Sequence, residues 1–141
     1  MASIAEIEKE IVEDFELFDD WTEKYQYIIE IGQKLPAFPE EKRTDEHKIK
    51  GCQSSVWMTS KLENGNVIFQ ADSDSSIVKG LAALLLMVMS NQNPEEIIKA
   101  EFNFINDIGL SQHLAQTRAN GLAAMIKQMK LDAVAYSKLT T

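Results

Sequence analysis

From Ile77 to Met89 the chain reads IVKGLAALLLMVM, and this stretch limits the fold more than any other. Its longest apolar run, Leu81 to Met89, is far short of the roughly 20 residues that cross a bilayer. A helix that is apolar almost all round has no face to offer water, so it belongs at the centre of a domain, packed on several sides. Asp74 or Ser75 is placed to cap it. A chain of 141 residues with 45% hydrophobic content can bury such a helix without disulfide staples.

The remaining elements arrange themselves around that helix. Ile4, Ile7, Ile11, Phe15 and Phe18 recur at helical steps, and Ser3 with Glu6 makes a capping box. Asp20 starts a second helix through Trp21, Tyr25, Ile28 and Ile29, with Gly32 expected as its left-handed stop. Pro36, Pro39 and the charged run Glu40 to Lys50 read as a long exposed loop. A hairpin follows, Ser55 to Leu62 and Val67 to Ala71, because Asn64-Gly65 suits a type I′ turn with positive φ at both positions. A third strand near His47 to Ile49 is one way to support it. Asn93-Pro94 opens another helix, a short one ends near Ile108-Gly109, and Thr117 is expected to cap a last one bearing Leu122, Met125, Ile126 and Met129. With no repeat and no long linker, the order predicts one α+β domain over residues 1–141, a small antiparallel sheet packed against several helices.

Charge and cysteine usage narrow the function. A net charge of −8 disfavours nucleic acid and anionic membrane and suits docking to protein. Met1 to Glu10 is acidic and helical, unlike a secretory or transit signal, which leads to the expectation of a cytoplasmic protein. One cysteine excludes an intrachain disulfide framework and an all-cysteine metal or cluster site. A lone cysteine is most often a small buried hydrophobe. Cys52, however, follows Gly51 where a polar loop meets a strand, and Lys48 and Lys50 lie just upstream, where cations favour thiolate. Arg118 and Asp74 have bland readings as a surface ion-pair partner and a helix cap. His113 reads as a structural hydrogen-bonding residue, and Lys79 as a helix charge.

The stretch I-K-G-C-Q-S-S-V-W, Ile49 to Trp57, resembles the signature of the SufE family of sulfur-acceptor proteins. Three more blocks in the same order are similar to that family: Trp21 to Pro36, Asp72 to Gly80 (DSDSSIVKG), and Leu110 to Ile126 with Gln112-His113-Leu114, Arg118 and Gly121-Leu122. The resemblance implies a SufE/IscU-like α+β fold. It implies that Cys52 takes persulfide sulfur from a SufS-type cysteine desulfurase, stimulates that enzyme and passes the sulfur to a SufBCD-type iron–sulfur scaffold. The chain would then be a sulfurtransferase-like acceptor rather than a free-standing enzyme. Pyridoxal phosphate would belong to the partner, with no cofactor or metal in this chain. Lys48, Lys50, Gly51, Gln53, Ser54, Trp57, Asp74 and Arg118 become the expected loop and partner-binding residues, and Trp57 with the central helix the expected shelter for the persulfide. Ser55 and Thr117 depart from the family's commoner residues, which leaves the choice between SufS-like and CsdA-like desulfurases open, as it does monomer or homodimer. An IscU-type scaffold needs more thiolates than one. A non-catalytic desulfurase regulator stays as the other alternative, separable by Cys52→Ala.

Overall fold

The computed structural model describes residues 2–139; Met1, Thr140 and Thr141, the ends of the expected 1–141 domain, lie outside the described residues. Two helices open the chain, α1 (Ile4–Glu16) and α2 (Trp21–Gln33). Local chemistry sets both starts. Ser3 and Glu6 form the reciprocal capping box, and Asp20 accepts from the Glu23 amide at 2.9 Å. The charged segment then makes two 3₁₀ turns, Glu40–Lys42 and Asp45–His47.

The hairpin is β1 (Val56–Glu63) and β2 (Asn66–Ser73), antiparallel, with Glu63 opposite Asn66 and Trp57 opposite Asp72. Asn64 (φ 53°) and Gly65 (φ 82°) both adopt the left-handed angles that a two-residue turn needs. The third strand is absent among the described residues: its place is taken by an isolated bridge, Lys48 opposite Trp57, and a similar bridge joins Val67 to Gln92. Ser75, not Asp74, caps α3 (Ser76–Met89).

The first two helices, the hairpin and the last helix all pack on α3. Leu81, Ala82, Leu84, Leu85, Val88 and Met89 are all buried, each large aliphatic side chain contributing roughly 1.5–3 kcal/mol by leaving water. Beyond it lie α4 (Pro94–Lys99), α5 (Asn103–Asp107), α6 (Leu110–His113) and α7 (Gln116–Ser137). The result is α+β, with seven helices and a two-stranded sheet among the described residues. No helix among them is long and apolar enough to cross a membrane.

Two expected boundaries are corrected. Gly32 does not stop α2 with a left-handed angle; it lies inside the helix, which runs on to Gln33 and ends at Lys34 in right-handed geometry. Its role is proximity, since a Cβ there would come within 2.7 Å of the Gly80 nitrogen. Thr117 does not cap α7 either. Ala115 holds the cap position without a side-chain bond, and Thr117 sits inside the first turn.

Candidate functional site

Cys52 lies on a short loop tied at both feet. On the upstream side the Ile49 amide donates to the Val56 carbonyl at 2.8 Å, and the Ile49 side chain is buried. Downstream, the Ser55 amide donates to Asp74 Oδ1 at 3.1 Å, and the Asp74 amide donates back to the Ser55 carbonyl at 3.2 Å. The Ser73 hydroxyl donates to that same carbonyl at 2.7 Å. Asp74 therefore holds the cysteine loop instead of capping a helix. Gly51 reverses the chain at φ 92°, an angle that strains any residue with a Cβ.

The thiol is half-buried and turned inward. Cys52 Sγ donates to the Gly121 carbonyl of α7 at 3.7 Å. A cavity of about 290 Å³ opens in front of it. The loop contributes Gln53 and Ser54 to the wall, the start of α3 contributes Ser75 and Val78, and the start of α7 contributes Thr117 and Arg118. Arg118 is exposed and makes no ion pair among the described residues, so the bland expectation of a paired surface arginine gives way to a cation on the rim of the thiol cavity.

The electrostatics differ from expectation. Burial pushes the Cys52 thiol above its ordinary pKa, because a thiolate there would lose solvation. Lys48 and Lys50 do not offset this. Both are exposed, and they line a separate cleft with Ala124, Lys127 and Leu131. Proximity in sequence did not bring their charges to the sulfur. In the tucked position burial therefore favours the protonated thiol over the thiolate.

Trp57 is likewise not part of the cavity wall. Strand alternation sends Val56 and Met58 into the core and Trp57 to the other face, where the Arg43 guanidinium lies 5.5 Å from its ring centroid. The shelter is built from the starts of α3 and α7. His113 has the structural role expected of it: its ring stacks on Trp21 at 4.1 Å, Nδ1 lies 3.0 Å from the Gly109 carbonyl, and its own carbonyl accepts from the Tyr25 hydroxyl. Among the described residues no three His, Cys, Asp or Glu side chains gather as metal ligands.

Two residues near the site escaped the sequence reading. Asp72 is only 5% exposed yet carries a charge, paired with Arg43 and with Lys79 at 3.3 Å. Burial alone would raise its pKa. The Ser73 amide, Lys79 and Arg43 together outweigh burial and hold the carboxyl below its ordinary value. Gly121 is the second, and it had a readable signal: a glycine inside a helix costs about 1 kcal/mol against alanine and usually marks a close neighbour. Here that neighbour is Cys52, whose Sγ would lie 3.5 Å from a Cβ at this position.

The α+β chain thus carries its one thiol half-buried on a tied loop, with no second cysteine in the sequence. Comparison with known proteins gives the family. Residues 9–133 match the SufE family model, described as an Fe–S metabolism associated domain, and the chain belongs to the SufE family. It is 40% identical over 129 residues to an uncharacterized SufE-like protein of Rhizobium meliloti (strain 1021), covering 88% of this chain and 92% of that one. A SufE-like protein of Rhizobium etli is also 40% identical, with 88% and 87% covered. The fold is similar to the solution structure of a hypothetical protein from Thermus thermophilus, with a TM-score of 0.76 over 96% of this chain and 97% of that one at 21% identity. Family membership carries a sulfur-acceptor role tied to Fe–S metabolism and interaction with a cysteine desulfurase.

Proposed function

We propose that Cys52 accepts persulfide sulfur from a SufS-type cysteine desulfurase, stimulating that enzyme, and hands the sulfur to an iron–sulfur scaffold of the SufBCD type. The observation that carries this reading is the thiol itself, half-buried beside an empty volume large enough for one more sulfur. In the transfer, the Cys52 thiol first gives up its proton. The thiolate attacks the outer sulfur of the partner's persulfide, a new S–S bond forms at Cys52, and the old one breaks. The partner's cysteine leaves as thiolate, and no net oxidant is needed. Pyridoxal phosphate on the partner generates the persulfide, and Lys48, Lys50, Gln53, Ser54, Trp57, Asp74 and Arg118 are assigned to the loop and the docking surface around it.

The inward contact of the thiol with Gly121, the cavity in front of it and the raised pKa together support a two-position loop. Tucked, the sulfur is shielded and weakly nucleophilic; presented to the desulfurase, it ionises more readily. The test is incubation with a SufS-type desulfurase, pyridoxal phosphate and L-cysteine, followed by intact-mass measurement without reductant. A single-sulfur adduct on the wild type and none on Cys52→Ala is the expected result. An unmodified wild type sinks the proposal, and Cys52→Ala that still stimulates the desulfurase fully would make the chain a regulator instead.

A further inference from the structure

Residues 34–49 form a strap that crosses the hairpin and leads into the cysteine loop, and Arg43 is its polar anchor. Its guanidinium pairs with buried Asp72 and with Glu40 at 3.0 Å. It also lies between two aromatic rings, 5.8 Å from the Phe38 centroid and 5.5 Å from that of Trp57. Asp72 is the first residue of a shelf whose next two members, Ser73 and Asp74, grip Ser55 at the downstream foot of the loop. Arg43 thus joins the segment that leads into the loop to the shelf that receives it, while Cys52 itself is held by a long contact to Gly121.

We propose that Arg43 is a positioning residue for sulfur transfer: its pairing with Asp72 clamps the strap to the shelf and keeps Cys52 tucked. The clamp acts through the loop's feet and touches no reacting atom. Its meaning for sulfur transfer rests on the function proposed above, but its physical content is a loop equilibrium of the isolated chain. Lys79 stays on Asp72 when Arg43 is lost, so the shelf keeps one cation while the strap loses its hold. A partner able to compete for the guanidinium, or to displace the strap from Trp57, would release the thiol at the moment of docking.

The test compares Arg43→Met, which keeps a stem between the rings, with the double variant Arg43→Met/Asp72→Asn, which leaves no orphaned buried charge. Lys61→Met is the control, removing the same charge from an exposed pair with Glu63 at the far end of the hairpin. The second-order rate of Cys52 alkylation by iodoacetamide is followed against pH, with far-UV circular dichroism run in parallel. Both Arg43 variants are expected to react about tenfold faster than wild type while remaining folded, less than full loss of a buried ion pair would give because Arg43 is one-third exposed. Their pH midpoint should move down toward that of an ordinary cysteine, and Arg43→Lys should restore part of the protection. Wild-type rates in both variants, or faster reaction only where dichroism shows unfolding, overturn the clamp. The measurement uses no desulfurase, so a chain that fails to take up sulfur leaves it intact, and a chain that takes up sulfur normally does not rescue it.

Discussion

Two seams run along the central helix, and glycines stand in both, for opposite reasons. Where α2 crosses α3, Gly32 and Gly80 let the backbones touch: a Cβ on Gly80 would overlap the Ile28 carbonyl, and one on Gly32 would come within 2.9 Å of the Gly80 Cα. At that crossing the backbones touch and leave no room for a side chain. At the starts of α3 and α7 the helices part, and Gly121 leaves a position facing the sulfur that is open rather than full. The first seam is held by packing. The second is held by a buried carboxylate, its two cations and a few loop hydrogen bonds. Tight packing fixes a helix pair but excludes chemistry, whereas a thiol that must be shown and hidden needs a region whose restraints are few and polar.

The contrast can be broken most forcefully at the closed seam. Gly80→Ala is expected to lower stability by about 3 kcal/mol, because the clash is with backbone that cannot turn aside. Urea unfolding checks this, and a loss below ~0.5 kcal/mol would mean the helices separate freely. Next comes Asp72→Asn, expected to cost about 1–2 kcal/mol at neutral pH, discounted because Arg43 is one-third exposed. The sign with pH follows from the depressed Asp72 pKa. Its stabilisation is complete above the unfolded carboxylate value near 4 and fades as pH falls through the lower folded value. Acid titration of stability should therefore be shallower in Asp72→Asn than in wild type, and equal slopes would remove the charge from the account.

Smaller in energy is Gly121→Ala, the same exchange as at Gly80 with the opposite sign. At 3.5 Å from Cys52 Sγ the added methyl makes ordinary contact, so helix propensity should stabilise the chain by roughly 0.5–1 kcal/mol. It should also slow alkylation of Cys52. A destabilised variant would show the cavity to be tighter than its shape. The smallest effect is protonation of the thiol. Because burial raises its folded pKa, its contribution to stability is present at neutral pH and is lost as pH rises through that value. The alkylation rate of the isolated chain should have its midpoint above that of free cysteine. A midpoint at or below it would place a cation at the sulfur after all.

What the sequence made legible was local. Ser3 with Glu6, Asn64-Gly65 and Asn93-Pro94 each contain, within four residues, the donors, acceptors and angles that decide the structure, and each behaves as read. The nearly all-apolar run at Ile77 to Met89 was equally plain, since a central helix hides it on several sides. The misreadings came from partners distant in the chain. Gly32 carries the mark of a helix stop, and only Gly80, far along the sequence, turns it into a crossing point. Lys48 and Lys50 stand beside Cys52 in sequence, yet beyond the turn at Gly51 the thiol meets Gly121 near the start of α7 while the lysines line a separate cleft farther along that helix. Arg43 was hidden inside a charged run because Asp72, which gives it meaning, follows on a different element.

The strap has one more effect, on the company the chain keeps. A two-stranded hairpin has two outer rims, and local segments occupy part of each: Lys48 closes against Trp57 on β1, while on β2 Gln92 closes against Val67 and the Ser90 hydroxyl accepts from the Phe69 amide. The start of the β1 rim is thus occupied by the same segment that leads into the cysteine loop. Were that segment to lift, the outward-facing backbone groups at alternate residues of β1 would become a template on which another extended chain can add. Lys61 and Glu63 guard only the far end of that rim. The same few polar contacts therefore set both how the cysteine loop is held and how much bare strand edge the chain presents.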